Sequence, residues 1–147
     1  MHTSLSEIDP VSWDACANPP GRPYDPFLSY TFLNALEQSG SASPKRGWAP
    51  CHLALHSPSG ALNAVMPCYL KSHSQGEFVF DYSWANAYQR AGGAYYPKFF
   101  VGVPFSPVPG PRFLLQPEFV GGQSESLILK ALATLTERMS LSSLHIC

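Results

Sequence analysis

Apolar and polar residues recur along this chain with two different periods, and the periods divide it into elements. Over residues 27–38, Phe27, Leu28, Thr31, Phe32, Ala35 and Leu36 return at the three- and four-residue spacing of one helix face, and Gly40 suits the stop. Residues 124–139 repeat that period through Leu127, Ile128, Ala131, Leu132 and Leu135, with Arg138 placed to complement the helix dipole. The runs 51–56 and 61–70 flank Ser57-Pro58-Ser59-Gly60 and predict an antiparallel hairpin, with Leu53, Leu55, Val65 and Met66 turned partly inward. Short strands are predicted at 78–80, 98–103 and 112–116. A helix over 82–90 stops at Gly92-Gly93, and a last strand begins at Leu141, Leu144 and Ile146.

The first quarter is punctuated by proline. Residues 3–8 alternate weakly, with Leu5 and Ile8 apolar, and predict a short strand. Asp9-Pro10 pairs a capping acid with proline at the first helical position, opening a short helix that offers Val11 and Trp13 to a core; Asp25-Pro26 repeats the signature. Between them Pro19, Pro20 and Pro23 remove donors and make a surface loop, and 104–111 is a second proline-dense crossover. These elements predict an α/β protein: a mixed, mainly antiparallel twisted sheet with helices on its faces. The closing helix and strand would complete a β-α-β unit.

Composition adjusts this picture in three ways. At 147 residues the chain fits one domain with a core of its own. Only 13% of residues are charged, about half the usual share, which predicts a flank covered by another lobe or subunit. A formal net charge of −1 with scattered basic residues gives no footprint for nonspecific nucleic-acid binding. The start of the chain lacks a basic region followed by an apolar one, and no segment reaches membrane-spanning length, so a cytoplasmic protein without membrane insertion is expected. Cys16, Cys51, Cys68 and Cys147 show neither a CxxC pair nor zinc-ligand spacing with the histidines and are read as thiols. The hairpin tip decides what Cys51 faces. A two-residue turn at Ser59-Gly60 sets it opposite Cys68, whereas a type I turn at Pro58-Ser59 with Gly60 as a bulge shifts the register by one.

Candidate chemistry concentrates in residues 71–112, where Tyr82, Trp84, Tyr88, Tyr95 and Tyr96 crowd among Asp81, Arg90 and Lys98. Rings beside a few fixed charges are the usual materials of a small-molecule pocket, and equally of a core. The acid–base candidates are Asp81 and His73, with Glu77 and the tyrosines beside them; Asp81 is placed either to act or to cap the 82–90 helix. Arg90, Lys98 and Arg112 are the anion contacts, and Trp84, Tyr88, Tyr95 and Tyr96 the aromatic walls of a substrate site. Gln89-Arg90-Ala91-Gly92-Gly93-Ala94 spells the Q/R-x-x-G-x-G/A pattern of an acyl-CoA phosphate loop, yet a predicted helix precedes its glycines where a cradle needs a helix to follow. The glycine pair reads better as a helix stop.

The segments PFLSYTFLNALEQSGS, GWAPCHLAL, YLKSHSQGEFVFDYSWANAYQRAGGAYYPK and VGVPFSPVPGPR resemble the bacterial FemAB-like family of N-acyltransferases in the GNAT superfamily, which carries a peptidoglycan biosynthesis or recognition label. The likeness runs from about residue 25 to the end, more loosely before, and spans the front part of the family's usual length. It implies that residues 1–147 form a single GNAT-like lobe, the N-terminal part of a longer two-lobe protein, with the second lobe or self-association as partner. By the same resemblance the activity is transfer of an acyl or aminoacyl group to an amine. The donor would be acyl-CoA or aminoacyl-tRNA, the acceptor a muropeptide-like cell-wall precursor, and no cofactor is assigned to the chain itself. The other reading is a noncatalytic lobe that binds a sugar or peptide through its aromatic cluster.

Overall fold

The computed structural model describes residues 1–77, 81–121 and 123–147, so the strand predicted over 78–80 lies outside the described residues. Helix α1 (Pro10–Ala17) starts as expected: the Asp9 carboxylate accepts the Ser12 N–H at 2.8 Å. Its Trp13 is fully buried and donates its indole N–H to the Leu28 carbonyl at 2.9 Å. Ahead of it, Leu5–Glu7 is a 3-10 turn and not a strand. Leu5 and Ile8, three residues apart, both reach the core in that turn, a spacing that an alternating strand would split between two faces.

The helix expected over 27–38 is broken in two. Asp25 caps a 3-10 turn, Pro26–Leu28, then Ser29 adopts an extended conformation and caps helix α2 (Tyr30–Gln38). The break rotates the stripe, so Leu33 is fully buried while Thr31 and Ala35 face solvent. Helix α3 (Tyr82–Arg90) and helix α4 (Ser124–Arg138) fall where their periods placed them. On α4 the buried residues are Ile128 and Leu132, with Leu127 and Ala131 left exposed.

The strands form two sheets in place of one. Strands β1 (Trp48–Pro50) and β2 (Leu53–His56) run antiparallel to β4 (Cys68–Lys71) and β3 (Leu62–Met66) as one long bent hairpin. The bend falls where Pro67 has no N–H to give and the Cys68 N–H turns to His52 Nδ1 at 3.3 Å. Beyond it, β1, β4, β5 (Lys98–Val101) and β7 (Leu144–Ile146) make one sheet, in that order; β2, β3 and β6 (Leu114–Leu115) make the other. Only β5 and β7 pair in parallel among these strands. The architecture is mixed α/β and mainly antiparallel, of the GNAT-like type.

Two slips in the hairpin cancel. At the tip, the Gly60 N–H bonds Ser57 O and Ser57 N–H bonds Ala61 O, with Gly60 at φ 88°, so the turn is the proline-favoured one. The register then shifts again between Leu55 and His56, where Asn63 is the extra residue. The freed Asn63 carbonyl takes the Gln116 N–H at 3.0 Å, and Gln116 Nε2 donates to Leu62 O at 2.6 Å. Cys51 and Cys68 therefore do lie across from one another, the Cys51 N–H on Cys68 O at 2.9 Å, both as buried free thiols. Burial pushes Cys51 up to about 12 and raises Cys68 well above its usual value.

This register sorts the first sheet into two unlike faces. Cys68, Phe99, Val101 and Leu144 turn to α4, with Ile128 and Leu132, in one apolar cluster. Trp48, Tyr69, Lys71, Lys98, Phe100 and His145 share the opposite face, because Trp48 pairs with Lys71, Lys71 with Lys98, and Phe100 with both Tyr69 and His145. The second sheet packs Leu62, Val65 and Leu114 on Leu5, Trp13, Leu28 and Leu33.

Candidate functional site

Lys71 and Lys98 stand side by side on adjacent strands, both with no exposed surface, and a buried charge needs partners. The 72–97 segment supplies them. Lys98 Nζ donates to Glu77 Oε2 at 2.8 Å and to Asp81 Oδ2, which also accepts the Tyr95 hydroxyl at 3.0 Å. Lys71 Nζ donates to the Gln75 carbonyl at 2.9 Å, lies 3.6 Å over the Trp48 ring and stands 4.0 Å from Glu77 Oε1. Two lysines thus face two carboxylates. Burial lowers Lys71 to about 8 with help from the Lys98 charge, against the pull of Glu77. Lys98 is also disfavoured by burial, but its bonds to Asp81 and Glu77 outweigh that and raise it.

The two acids respond in opposite ways. Burial pushes Glu77 above the usual carboxylate value in spite of both lysines. Asp81 meets burial too, yet the bonds from Lys98 and Tyr95 hold it below its usual value. Of the two placements open to Asp81 in sequence, the carboxylate makes no bond that caps α3; it turns back to the lysine. Among the described residues Glu77 Oε1 is buried without a hydrogen-bond partner, as are Trp48 Nε1, Tyr69 OH and Asn34 Oδ1. A native fold seldom leaves such atoms bare, so each calls for a partner beyond the described protein groups, water included.

A cleft of about 570 Å³ opens beside this cluster. Glu77, Asp81, Arg112, His145 and Cys147 give it polar groups, and Phe100, Val103 and Val108 give it apolar wall. Arg112 is buried with its guanidinium engaged: Nε donates to Cys147 O, Nη1 to Pro111 O at 3.2 Å and Nη2 to Val108 O at 2.6 Å. It ties the proline crossover to the end of β7, and the strand predicted over 112–116 is confined to β6, Leu114–Leu115.

Of the residues singled out in sequence, Asp81, Tyr95, Lys98 and Arg112 gather at or behind the cleft. Tyr96 bonds Ser74 through its hydroxyl at 2.6 Å and packs edge-on to Tyr95. Trp84, at 72% exposure, Tyr88 and Arg90 lie on the exposed side of α3, with the Tyr88 ring edge-on to Tyr95. His73 does not line the cleft; its ring fills the space where Gly47 would carry a Cβ, and Nδ1 accepts the Gln75 N–H at 3.2 Å. Burial, then the Lys71 charge, lower it. Gln89–Ala94 wraps the carboxyl end of α3, with the Gly92 and Gly93 N–H groups on the Gln89 and Tyr88 carbonyls at 2.9 and 3.0 Å. Those donors are spent within the turn. His145 and Lys71 escaped the sequence reading, although one signal was present. A charged or imidazole residue alternating with apolar ones, as in Tyr69-Leu70-Lys71, Lys98-Phe99-Phe100 and Leu144-His145-Ile146, puts it on one strand face with its own kind.

Among the described residues no group of His, Cys, Asp and Glu could hold a metal ion, and no helix is long and apolar enough to cross a membrane. A mixed α/β fold with a charged, half-apolar cleft is the class of protein this geometry defines. The chain belongs to the FemAB-like family, described as peptidoglycan biosynthesis/recognition, whose model matches residues 4–147. No curated protein and no solved structure matches it significantly.

Proposed function

We propose that the cleft is the acceptor site of a cytoplasmic N-acyltransferase, where a primary amine of a muropeptide-like cell-wall precursor is held for acyl or aminoacyl transfer. The observation that carries this reading is the buried Oε1 of Glu77, without a hydrogen-bond partner among the described residues, on a side chain that lines the cleft. An amine N–H supplies the bond that oxygen lacks, and a carboxyl raised by burial is a better proton acceptor than an ordinary one. Asp81 supplies fixed negative charge beside it, oriented by Lys98 and Tyr95. Placement of the amine alone contributes about 7 to 11 kcal/mol to such a reaction. Trp84, Tyr88 and Arg90 follow Asp81 on α3 and are available to the rest of the acceptor. The phosphate-bearing carrier of the donor, acyl-CoA or aminoacyl-tRNA, is assigned to a second lobe or a second copy, since the glycines of 89–94 offer no free cradle.

The test is calorimetric titration of the chain with a lysine-containing muropeptide and with the same compound acetylated on its amine. Saturable binding of the free amine, weakened at least about tenfold by acetylation or by Glu77→Gln, is expected for a buried charge-assisted bond. Equal binding of the acetylated compound would end this reading.

A further inference from the structure

On β7 His145 and, just past the strand, Cys147 line the cleft, and Ser143, two residues before His145, immediately precedes the strand. The Ser143 hydroxyl lies 2.9 Å from His145 Nε2, and the other ring nitrogen, Nδ1, lies 3.9 Å from Asp81 Oδ2. Asp81 is already anchored by Lys98 and Tyr95, so its position does not depend on the histidine. Its charge favours the tautomer with hydrogen on Nδ1, which leaves Nε2 as acceptor for the Ser143 hydroxyl. Burial, then the Lys98 charge, hold His145 below its usual value, against the pull of Asp81. The ring is therefore neutral at pH 7 and able to take a proton. The 3.9 Å separation is longer than a hydrogen bond, and contacts of this kind commonly tighten when substrate binds.

We infer that Ser143, His145 and Asp81 form a nucleophilic triad whose substrate is an acyl thioester or activated ester, its acyl chain against Phe100, Val103 and Val108. Ser143 Oγ attacks the carbonyl carbon while its proton passes to His145 Nε2, and Asp81 steadies the imidazolium. The carbon–sulfur bond breaks, the thiolate leaves with that proton, and the acyl group stays on Ser143 as an ester. Water, or the amine in the cleft, then attacks the ester carbon; the carbon–Oγ bond breaks and the serine regains its proton through His145. Transfer to the amine rests on the acceptor reading above, whereas formation of the acyl-serine does not.

The test incubates the chain with p-nitrophenyl acetate and, separately, with a fluorophosphonate probe, followed by intact mass and peptide mapping. One acetyl or phosphonyl group per chain on Ser143 is expected, lost in Ser143→Ala and slowed at least about 100-fold in His145→Gln. Ser143→Cys should be acetylated again, which separates loss of the nucleophile from loss of the fold. An unmodified wild-type chain, modification at Cys147 or Lys71 in place of Ser143, or an undiminished rate in His145→Gln would each overturn the triad. Labelling without amine binding removes only the acceptor reading, and amine binding without labelling removes only the triad.

Discussion

Among the described residues two buried carboxylates, Glu37 and Glu77, sit among basic partners, and they are finished differently. Glu37 gives Oε1 to His52 Nε2 at 2.7 Å and Oε2 to the Leu5 N–H and the Ser4 hydroxyl at 2.9 and 3.0 Å, while His52 Nδ1 takes the Cys68 N–H. Each polar atom of that pair is used, between the Trp13 and Tyr69 rings. Glu77 has comparable burial and stronger neighbours, yet one of its oxygens is left bare beside a cleft. The closed pair ties the N-terminal turn and α2 to the hairpin. The open one belongs to a side chain that lines the cleft. Burial acts on both acids, and bonds from His52, Leu5 and Ser4 bring Glu37 below its usual value while Glu77 stays above. Buried charge therefore says little about role until its hydrogen bonds are counted.

Breaking the closed pair should cost most. His52→Ala leaves the Glu37 carboxylate uncompensated and is expected to lower stability by about 3 kcal/mol, read from urea unfolding, with amine binding in the cleft retained by the folded fraction. Glu77→Gln should cost only about 1 kcal/mol, because Lys98 keeps Asp81 and an amide oxygen still accepts its proton. A larger loss from Glu77→Gln than from His52→Ala would reverse the contrast.

Acid should then separate the two by sign. Glu37 lies below its ordinary 4.5 in the fold, so its contribution is complete above pH 4.5 and is lost as the pH falls through the folded value. Glu77 lies above 4.5, so the stability it adds is present below pH 4.5 and is lost as the pH rises through its raised value. Urea midpoints from pH 3 to 7 should show Glu37→Gln losing its disadvantage at the acid end, and Glu77→Gln gaining on the wild type towards neutrality. Parallel curves would mean that the two acids titrate alike.

Much of the scaffold was legible because it rests on local rules. Asp9-Pro10 opens α1, the 3.6 period marks α4, and Gly92-Gly93 closes α3. Misreadings arose where a distant residue decided. Residues 3–8 turn because Glu37 collects their donors, and the stripe before α2 breaks because Ser29 caps a new helix. In the candidate site, Asp81, Tyr95 and Lys98 stood out in sequence as neighbours in the chain. Lys71 and His145 did not, since pairing between β4, β5 and β7 is what brings them there.

The smallest effect expected is on α3. Trp84 is 72% exposed, so Trp84→Ala should leave stability within about 0.5 kcal/mol while weakening binding of the muropeptide if its ring meets the acceptor. The same titration as for Glu77→Gln measures it. Unchanged affinity would confine recognition to the cleft and remove the aromatic face from it.

The paired slips at Gly60 and Asn63 insulate the working end of the hairpin from its tip. A three-residue loop with one bulge and a two-residue loop without one add up to the same parity, and either delivers Lys71 to the cleft side. The tip can thus drift between those two forms over evolutionary time without touching the chemistry. A change that alters the count by one and leaves the other slip uncorrected is a different matter. It would turn Lys71 toward α4 and carry Leu70 to the cleft, silencing the site from a loop that never meets the ligand.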